Sequence, residues 1–164
     1  MKIRSQIAFL SIALLLIISI AWISVYANGM KRLRKLEKTV QATWGDVEWR
    51  LEERNQQLPK LIEAAKVVLP ERADLYEQLT DNKNRLAELV QQDEIEGVIR
   101  ASNELDQKVK VFLKTAKSTP QLTEDRRFKQ LRHTLSEIQG RIDSDRQQYN
   151  EAVMKFNKFL HGIP

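Results

Sequence analysis

The chain of 164 residues contains no cysteine, which removes disulfides, thiol nucleophiles and thiolate zinc sites together. Histidine is almost missing as well, at His133 and His161 alone. Neither follows a glutamate at the Glu-x-x-His spacing, so the paired ligands of di-iron helical bundles are not there. His133 and Glu137 lie four apart on one helical face, where a solvated surface pair is a commoner outcome than a metal site. Five glycines and four prolines leave little turn chemistry for a sheet. No glycine-rich phosphate loop, Gly-x-Ser-x-Gly turn or His-Glu-x-x-His pair occurs. The residues therefore point to no catalytic, cofactor or metal site, and the expectation is a protein that is not an enzyme.

What is plentiful is Leu, Glu, Lys, Arg, Gln and Ala, a set that suits long helices. The formal charge of +5 is concentrated at one end. Residues 1–38 hold Lys2, Arg4, Lys31, Arg32, Arg34, Lys35 and Lys38 against Glu37 alone, which leaves the rest of the chain at −1. A nucleic-acid partner would call for a basic stripe with interleaved aromatics on the folded part. Here the excess flanks an apolar segment, so anionic lipid headgroups are the nearer partner and nucleic acid is not expected.

Residues 7–25 read IAFLSIALLLIISIAWISV, without a charge. Nineteen helical residues at about 1.5 Å each span roughly 28 Å, the thickness of a bilayer's hydrocarbon core. Trp22 and Tyr26 stand at the exit end, where amphipathic rings favour the headgroup level. The rival is a signal peptide cleaved after Ala27. The apolar stretch exceeds the usual length of roughly 7 to 15 residues, no polar region precedes Ala27, and basic residues follow soon after, so an uncleaved anchor is the stronger reading. Five cations after the span against Lys2 and Arg4 before it place the remainder on the cytoplasmic side of the inner membrane, as a single-pass protein. The expected organisation is an N-terminal tail at 1–6, a transmembrane anchor at 7–27 and one helical domain at 28–164.

Beyond the anchor, Leu36, Val40, Trp44, Val47, Leu51, Leu58, Ile62, Ala65 and Leu69 recur at helical steps, with a polar gap at Asn55. Only Gly29 separates this helix from the apolar one, and Pro59 inside it predicts a kink. Pro70 breaks the chain, and a second helix follows on Leu75, Leu79, Leu86 and Leu89, ending near Gln91, with Asn82 where an apolar residue would fit. Asp93 is a candidate cap for a third helix, whose first turns Gly97 weakens, faced by Ile95, Val98, Ile99, Leu105, Val109, Phe112 and Leu113. Lys117-Ser118-Thr119-Pro120 reads as a loop, and Thr123 is a candidate cap for a last long helix carrying Phe128, Leu131, Leu135, Ile138, Ile142, Tyr149, Val153, Phe156 and Leu160. Short connections make neighbours antiparallel, so the fold class is all-α: an N-terminal transmembrane helix plus an antiparallel four-helix bundle with long first and last helices. Those outer helices exceed the middle two, so their ends should pair with each other as a stalk.

The run Arg146-Gln-Gln-Tyr149-Asn150-Glu-Ala-Val153, followed by Phe156-Asn157, is similar to the Arg-x-x-Tyr-Asn-x-x-Val signature of the LemA family of bacterial membrane-anchored helical proteins. Trp44 after Val40, the segment from Arg54 to Ile62 around Pro59, the Pro120-Gln-Leu122 turn, and Phe128, Leu131, Leu135 and Glu137 fall in similar order, so the chain resembles that family over nearly its full length. It departs at Gln56-Gln57-Leu58-Pro59-Lys60, where the family commonly reads Asp-Leu-Ile-Pro-Asn, and at Thr119, where a Tyr is usual. The resemblance implies a short anchor and a four-helix domain, singles out Trp44, Arg54, Pro59, Pro120, Glu137, Arg146, Tyr149, Asn150 and Asn157, and brings no activity with it.

Asp145 and Arg146 interrupt the apolar stripe of the last helix, Asn150 and Asn157 sit seven apart along it, and polar groups at such positions must find partners, which suggests a buried network fixing helix register. Trp44, Trp49 and Tyr149 read as packing residues. The leading functional expectation is a membrane-tethered, non-catalytic scaffold or protein-interaction module, bound to the lipid bilayer, to partner proteins and, as one option, to itself. The alternative is a membrane-anchored sensor or ligand-binding bundle in which Pro59, Asn82, Asp145 and Arg146 form a polar pocket.

Overall fold

The computed structural model describes residues 2–162; residues 1, 163 and 164 and the side chains at 2–14, 18 and 21 lie outside the described structure. Among the described residues every regular element is helical. Helix α1 (Lys2–Lys66) is unbroken and includes both Gly29 and Pro59. Pro59 cannot donate a backbone hydrogen bond to the carbonyl of residue 55, a penalty of about 3 kcal/mol. The helix runs on regardless, because Leu58, Leu61, Ile62 and Ala65 around the proline are all buried, each burial being worth up to about 1.5–3 kcal/mol for the larger side chains. Among the described residues no helix is long and apolar enough to cross a membrane. The expected span at 7–27 includes the side chains at 7–14, 18 and 21, which lie outside the described residues, as do those of the expected tail.

Pro70 ends the first helix as expected and opens a one-turn 3₁₀ segment (Pro70–Arg72), its missing N–H falling where no partner is needed. Helix α2 (Ala73–Gln91) follows, and the Tyr76 hydroxyl donates to the Leu69 carbonyl at 3.0 Å, tying the start of α2 to the end of the preceding connection. Asp93 does not cap the next helix. It sits at φ 55°, in the left-handed region, with its N–H donating to Val90 and the N–H of Glu94 donating to Leu89. These two bonds satisfy the last carbonyls of α2 in a Schellman arrangement, so Asp93 closes the helix behind it instead of opening the one ahead.

Helix α3 (Ile95–Lys117) buries Gly97, Val98, Ala101, Ser102, Leu105, Phe112 and Ala116. Gly97 is needed for close approach, since a Cβ there would lie 3.0 Å from the Leu89 side chain and from the Glu94 carboxylate. Ile95 and Ile99, expected on the core face, are more than a third exposed, because the buried stripe runs through the small residues Ala101 and Ser102. The expected loop is only Ser118 and Thr119, after which a short helix α4 (Pro120–Glu124) buries Leu122. The cap of α5 (Arg126–His161) is Asp125 in place of Thr123: the Phe128 N–H donates to the Asp125 carboxylate at 2.6 Å, while the Thr123 hydroxyl donates back to Pro120.

Two compact units emerge, residues 43–149 and residues 1–42 with 150–164. In the unit formed by 43–149, cross-helix pairs set the direction of each helix. Trp44 meets Tyr149, Arg50 meets Asp145 and Arg54 meets Gln139, so α1 and α5 are antiparallel there. Lys108 donates to Gln78 and Arg85 to Glu104, so α2 and α3 are antiparallel, and Asn103–Arg146 with Asp106–Gln139 does the same for α3 and α5. Phe112 joins three helices, its ring 6.1 Å from Tyr76 and 6.3 Å from Phe128, both edge-on. In the other unit, the first part of α1 and the last part of α5 pack together and bury Ala152.

The two aspartate roles are separable by mutation. Asp93→Gly should raise stability by roughly 0.5–1 kcal/mol by relieving the left-handed backbone, and Asp125→Ala should lower it by about 1 kcal/mol, read as shifts in urea midpoint. Tyr76 supplies a pH signature. Burial raises its hydroxyl above the ordinary value of 10.0, with Glu71 adding to the rise, so the folded state holds that proton more tightly than the unfolded state. Its contribution is complete below about pH 10 and is lost as pH rises through the folded value; Tyr76→Phe should flatten that alkaline fall while costing about 1 kcal/mol for the lost hydrogen bond.

Candidate functional site

Arg54 lies between Leu51 and Leu58 on the inward face of α1, where the apolar period is interrupted, and it is 2% exposed. A cation in that position must be answered by groups from other helices. Its Nη1 bonds the Asp106 carboxylate on α3 and donates to Gln139 Oε1 on α5 at 3.1 Å; its Nη2 donates to Ser102 Oγ at 3.0 Å. Gln139 is the relay, since its amide nitrogen donates to Asp106 at 3.3 Å and to Asp143 at 3.1 Å. Arg146 joins through Nη1, which donates to Asn103 at 3.0 Å and lies 3.9 Å from Asp106. Ser102 and Asp106 are one turn apart on α3, and Gln139, Asp143 and Arg146 follow at helical steps on α5, so two regular faces build the site without a loop.

Burial pulls the Arg54 guanidinium below its ordinary value, Asp106 acts against that by charge and hydrogen bond, and Arg146 adds to the lowering. Guanidinium remains charged under any physiological condition, so the site is a fixed ion network. Four buried polar atoms, Arg54 Nε, Asn55 Oδ1 and Arg146 Nε and Nη2, have no protein partner. The chemistry open to this cluster is positional. Ser102 is fully buried and faces a guanidinium, which donates to its oxygen and cannot take its proton, so it lacks the base that a nucleophilic serine requires.

The residues singled out in the sequence separate into groups. Arg54 and Arg146 enter the network through Asp106. Trp44 and Tyr149 pair at a ring distance of 5.1 Å, and the Trp44 indole donates to Glu48 at 2.7 Å. Pro59 is half-buried within α1, and Pro120 is exposed at the start of α4. Glu137 is exposed and its partner is His133 at 3.6 Å, a surface pair one turn apart. Asn150 and Asn157 are exposed in the other unit, away from any buried network of their own. Trp49 is a correction: it is 59% exposed, with the Arg50 guanidinium 4.3 Å above its ring, because it lies two residues from both Val47 and Leu51 and so on the far side of the helix. The polar pocket expected from Pro59, Asn82, Asp145 and Arg146 does not assemble. Asn82 donates to Gln78 on its own helix, Asp145 pairs with Arg50 at 3.2 Å, and Arg146 turns to Asn103. Asp106, Ser102 and Gln139, the centre of the network, were not singled out. Among the described residues no group of three His, Asp or Glu side chains is placed to hold a metal ion.

One buried arginine thus locks the first, third and last helices of an all-α bundle. The LemA family profile matches residues 43–164, and the chain belongs to the LemA family. The match covers every signature position and begins where the larger compact unit begins, at Thr43. Comparison with the curated proteins finds no match.

Asp106→Asn should lower stability by about 3 kcal/mol, because it leaves Arg54 buried without its counter-charge. Arg54→Met combined with Asp106→Leu should cost much less than the two single changes added together, with a coupling of more than about 1 kcal/mol in urea unfolding. Additive losses would mean that the network does not act as a unit.

Proposed function

We propose that the chain is a membrane-tethered, non-catalytic helical scaffold that presents its bundle to a partner protein on the cytoplasmic side of the inner membrane. The observation that carries this reading is the exposure of the apolar part of α1. Leu16, Ile17, Trp22, Ile23 and Val25 point in different directions around the helix and are 57–74% exposed. Apolar surface that surrounds a helix and finds no protein to cover it is matched by lipid, and the same unbroken helix supplies the Arg54 face of the folded unit. The cations at 31–38 support a cytoplasmic bundle by the positive-inside bias.

The scaffold half of the reading rests on where the polar chemistry goes. Arg54, Asp106, Gln139 and Ser102 are spent on each other, and the exposed aromatic of the larger unit, Trp49, sits on the outer face of α1 with Arg50 over it. Trp and Arg together are the commonest anchors of protein interfaces. A sensor reading stands second, favoured by the two buried Arg146 N–H groups without a protein acceptor.

The absence of native cysteine makes the topology directly measurable. The protein should stay in the pellet after carbonate washing with its N-terminus intact; recovery of a soluble chain beginning near Asn28 would end the tether reading. A Glu88→Cys variant should resist an impermeant thiol reagent in intact cells and react after permeabilisation, and the reverse pattern would place the bundle outside. Trp49→Ala should abolish the crosslinked partner band in native membranes while leaving thermal stability within about 0.5 kcal/mol.

A further inference from the structure

The compact unit formed by residues 1–42 and 150–164 is strongly basic, with nine Lys and Arg against Glu37 and Glu151, a net +7 that leaves the other unit at −2. Four of these cations meet across the two helices. Arg32 and Lys35 from α1 and Lys155 and Lys158 from α5 line one groove of about 640 Å³ with Phe159 and Gly162. No carboxylate lines it. A second groove of about 460 Å³, lined by Trp22, Tyr26, Gly29, Leu33 and again Phe159 and Gly162, is almost wholly apolar. Both grooves end on the same pair, Phe159 and Gly162, so the cationic lining and the apolar one meet at the end of α5. A Cβ built at Gly29 meets nothing within 4 Å, so the apolar groove has free space beside this residue.

We propose that this composite groove is a binding site for one anionic phospholipid, its phosphodiester held by Arg32, Lys35, Lys155 and Lys158 and an acyl chain laid along Trp22, Gly29 and Phe159. The chemistry selects the ligand. Four cations facing no carboxylate call for an anion, and an apolar slot joined to them calls for a chain attached to it. The depth agrees: Arg32 is six residues beyond Tyr26, about 9 Å along the helix axis, which puts its flexible head at the phosphate level when the rings of Trp22 and Tyr26 sit at the interface. Lys155 and Lys158 matter most, because they come from the opposite end of the chain and are not explained by the positive-inside bias that accounts for residues 31–38.

This inference rests on the tether reading for the position of the apolar slot in the bilayer. The test uses the full chain in neutral detergent, titrated with phosphatidylglycerol, phosphatidylcholine, or glycerol phosphate without acyl chains, with bound lipid counted by native mass spectrometry. Phosphatidylglycerol should bind at least about tenfold more tightly than phosphatidylcholine, and glycerol phosphate should not bind in the same range. Lys155→Gln with Lys158→Gln should remove about tenfold of the phosphatidylglycerol affinity. Gly29→Leu, which fills the apolar slot without touching a cation, should weaken it too while leaving the helical circular dichroism unchanged. Equal binding of the two lipids, an unaffected double glutamine variant, or an unaffected Gly29→Leu variant would overturn the proposal, and binding of glycerol phosphate as tight as the lipid would reduce the site to one for free anions. A chain that stays in carbonate-washed membranes but shows no headgroup preference loses this inference alone, whereas a chain released by carbonate loses the tether.

Discussion

A single buried guanidinium sets the alignment of the larger unit. Trp44, Leu51, Leu58 and Ala65 recur every seven residues along α1, so its apolar face looks much the same after a slide of two turns. Packing alone would tolerate that slide. Arg54 does not, because only one position brings it to Ser102, Asp106 and Gln139 together. The Arg50–Asp145 pair and the Trp44–Tyr149 contact then fall into place about one and nearly three turns back along α1.

Such an arrangement does not maximise stability. Taking a guanidinium out of water is costly, and a well-packed apolar trio in its place would often be as stable or more so. Two further N–H groups of Arg146 and one of Arg54 are buried without a protein acceptor, which adds to the cost. What the network supplies is discrimination: a slipped or swapped helix leaves a buried charge unanswered, a penalty of about 3–5 kcal/mol that an apolar register shift does not carry. Presenting a defined surface, the role proposed above, would need that kind of uniqueness more than it needs extra stability, and the buried Arg54 supplies it.

Much of this architecture is legible in the amino-acid sequence, and the limits are physical. Long runs at three- and four-residue spacing, broken by Pro70 and Pro120, disclose the helices, and α2 ends at Gln91 as its periodicity suggests. The caps are less legible, because aspartate serves either end of a helix. Asp93 closes α2 because the carbonyls of Leu89 and Val90 recruit the two following N–H groups and drive it to positive φ, whereas Asp125 keeps an extended backbone and so can cap. Asp106 and Gln139 look like ordinary solvent positions within amphipathic helices, and only the arrival of Arg54 from 52 and 85 residues away turns them inward. The position of Trp49 is legible too, since its two-residue offset from Val47 and from Leu51 sets it on the opposite face of α1.

The same geometry explains a charge distribution that a linear scan divides. Read along the chain, the basic excess belongs to residues 1–38, while Lys155 and Lys158 look like ordinary end-of-helix cations that complement the macrodipole. Antiparallel to α1, helix α5 returns its last turns beside the first part of that helix, within one compact unit. The return places Lys155 and Lys158 beside Arg32 and Lys35, and Phe159 beside Leu33 and Tyr26. Four like charges brought together without a carboxylate in the groove repel one another, a repulsion that a bound anion would relieve. In the proposed site that anion is a lipid phosphate, and the last turns of α5 are the part of the chain that completes the site.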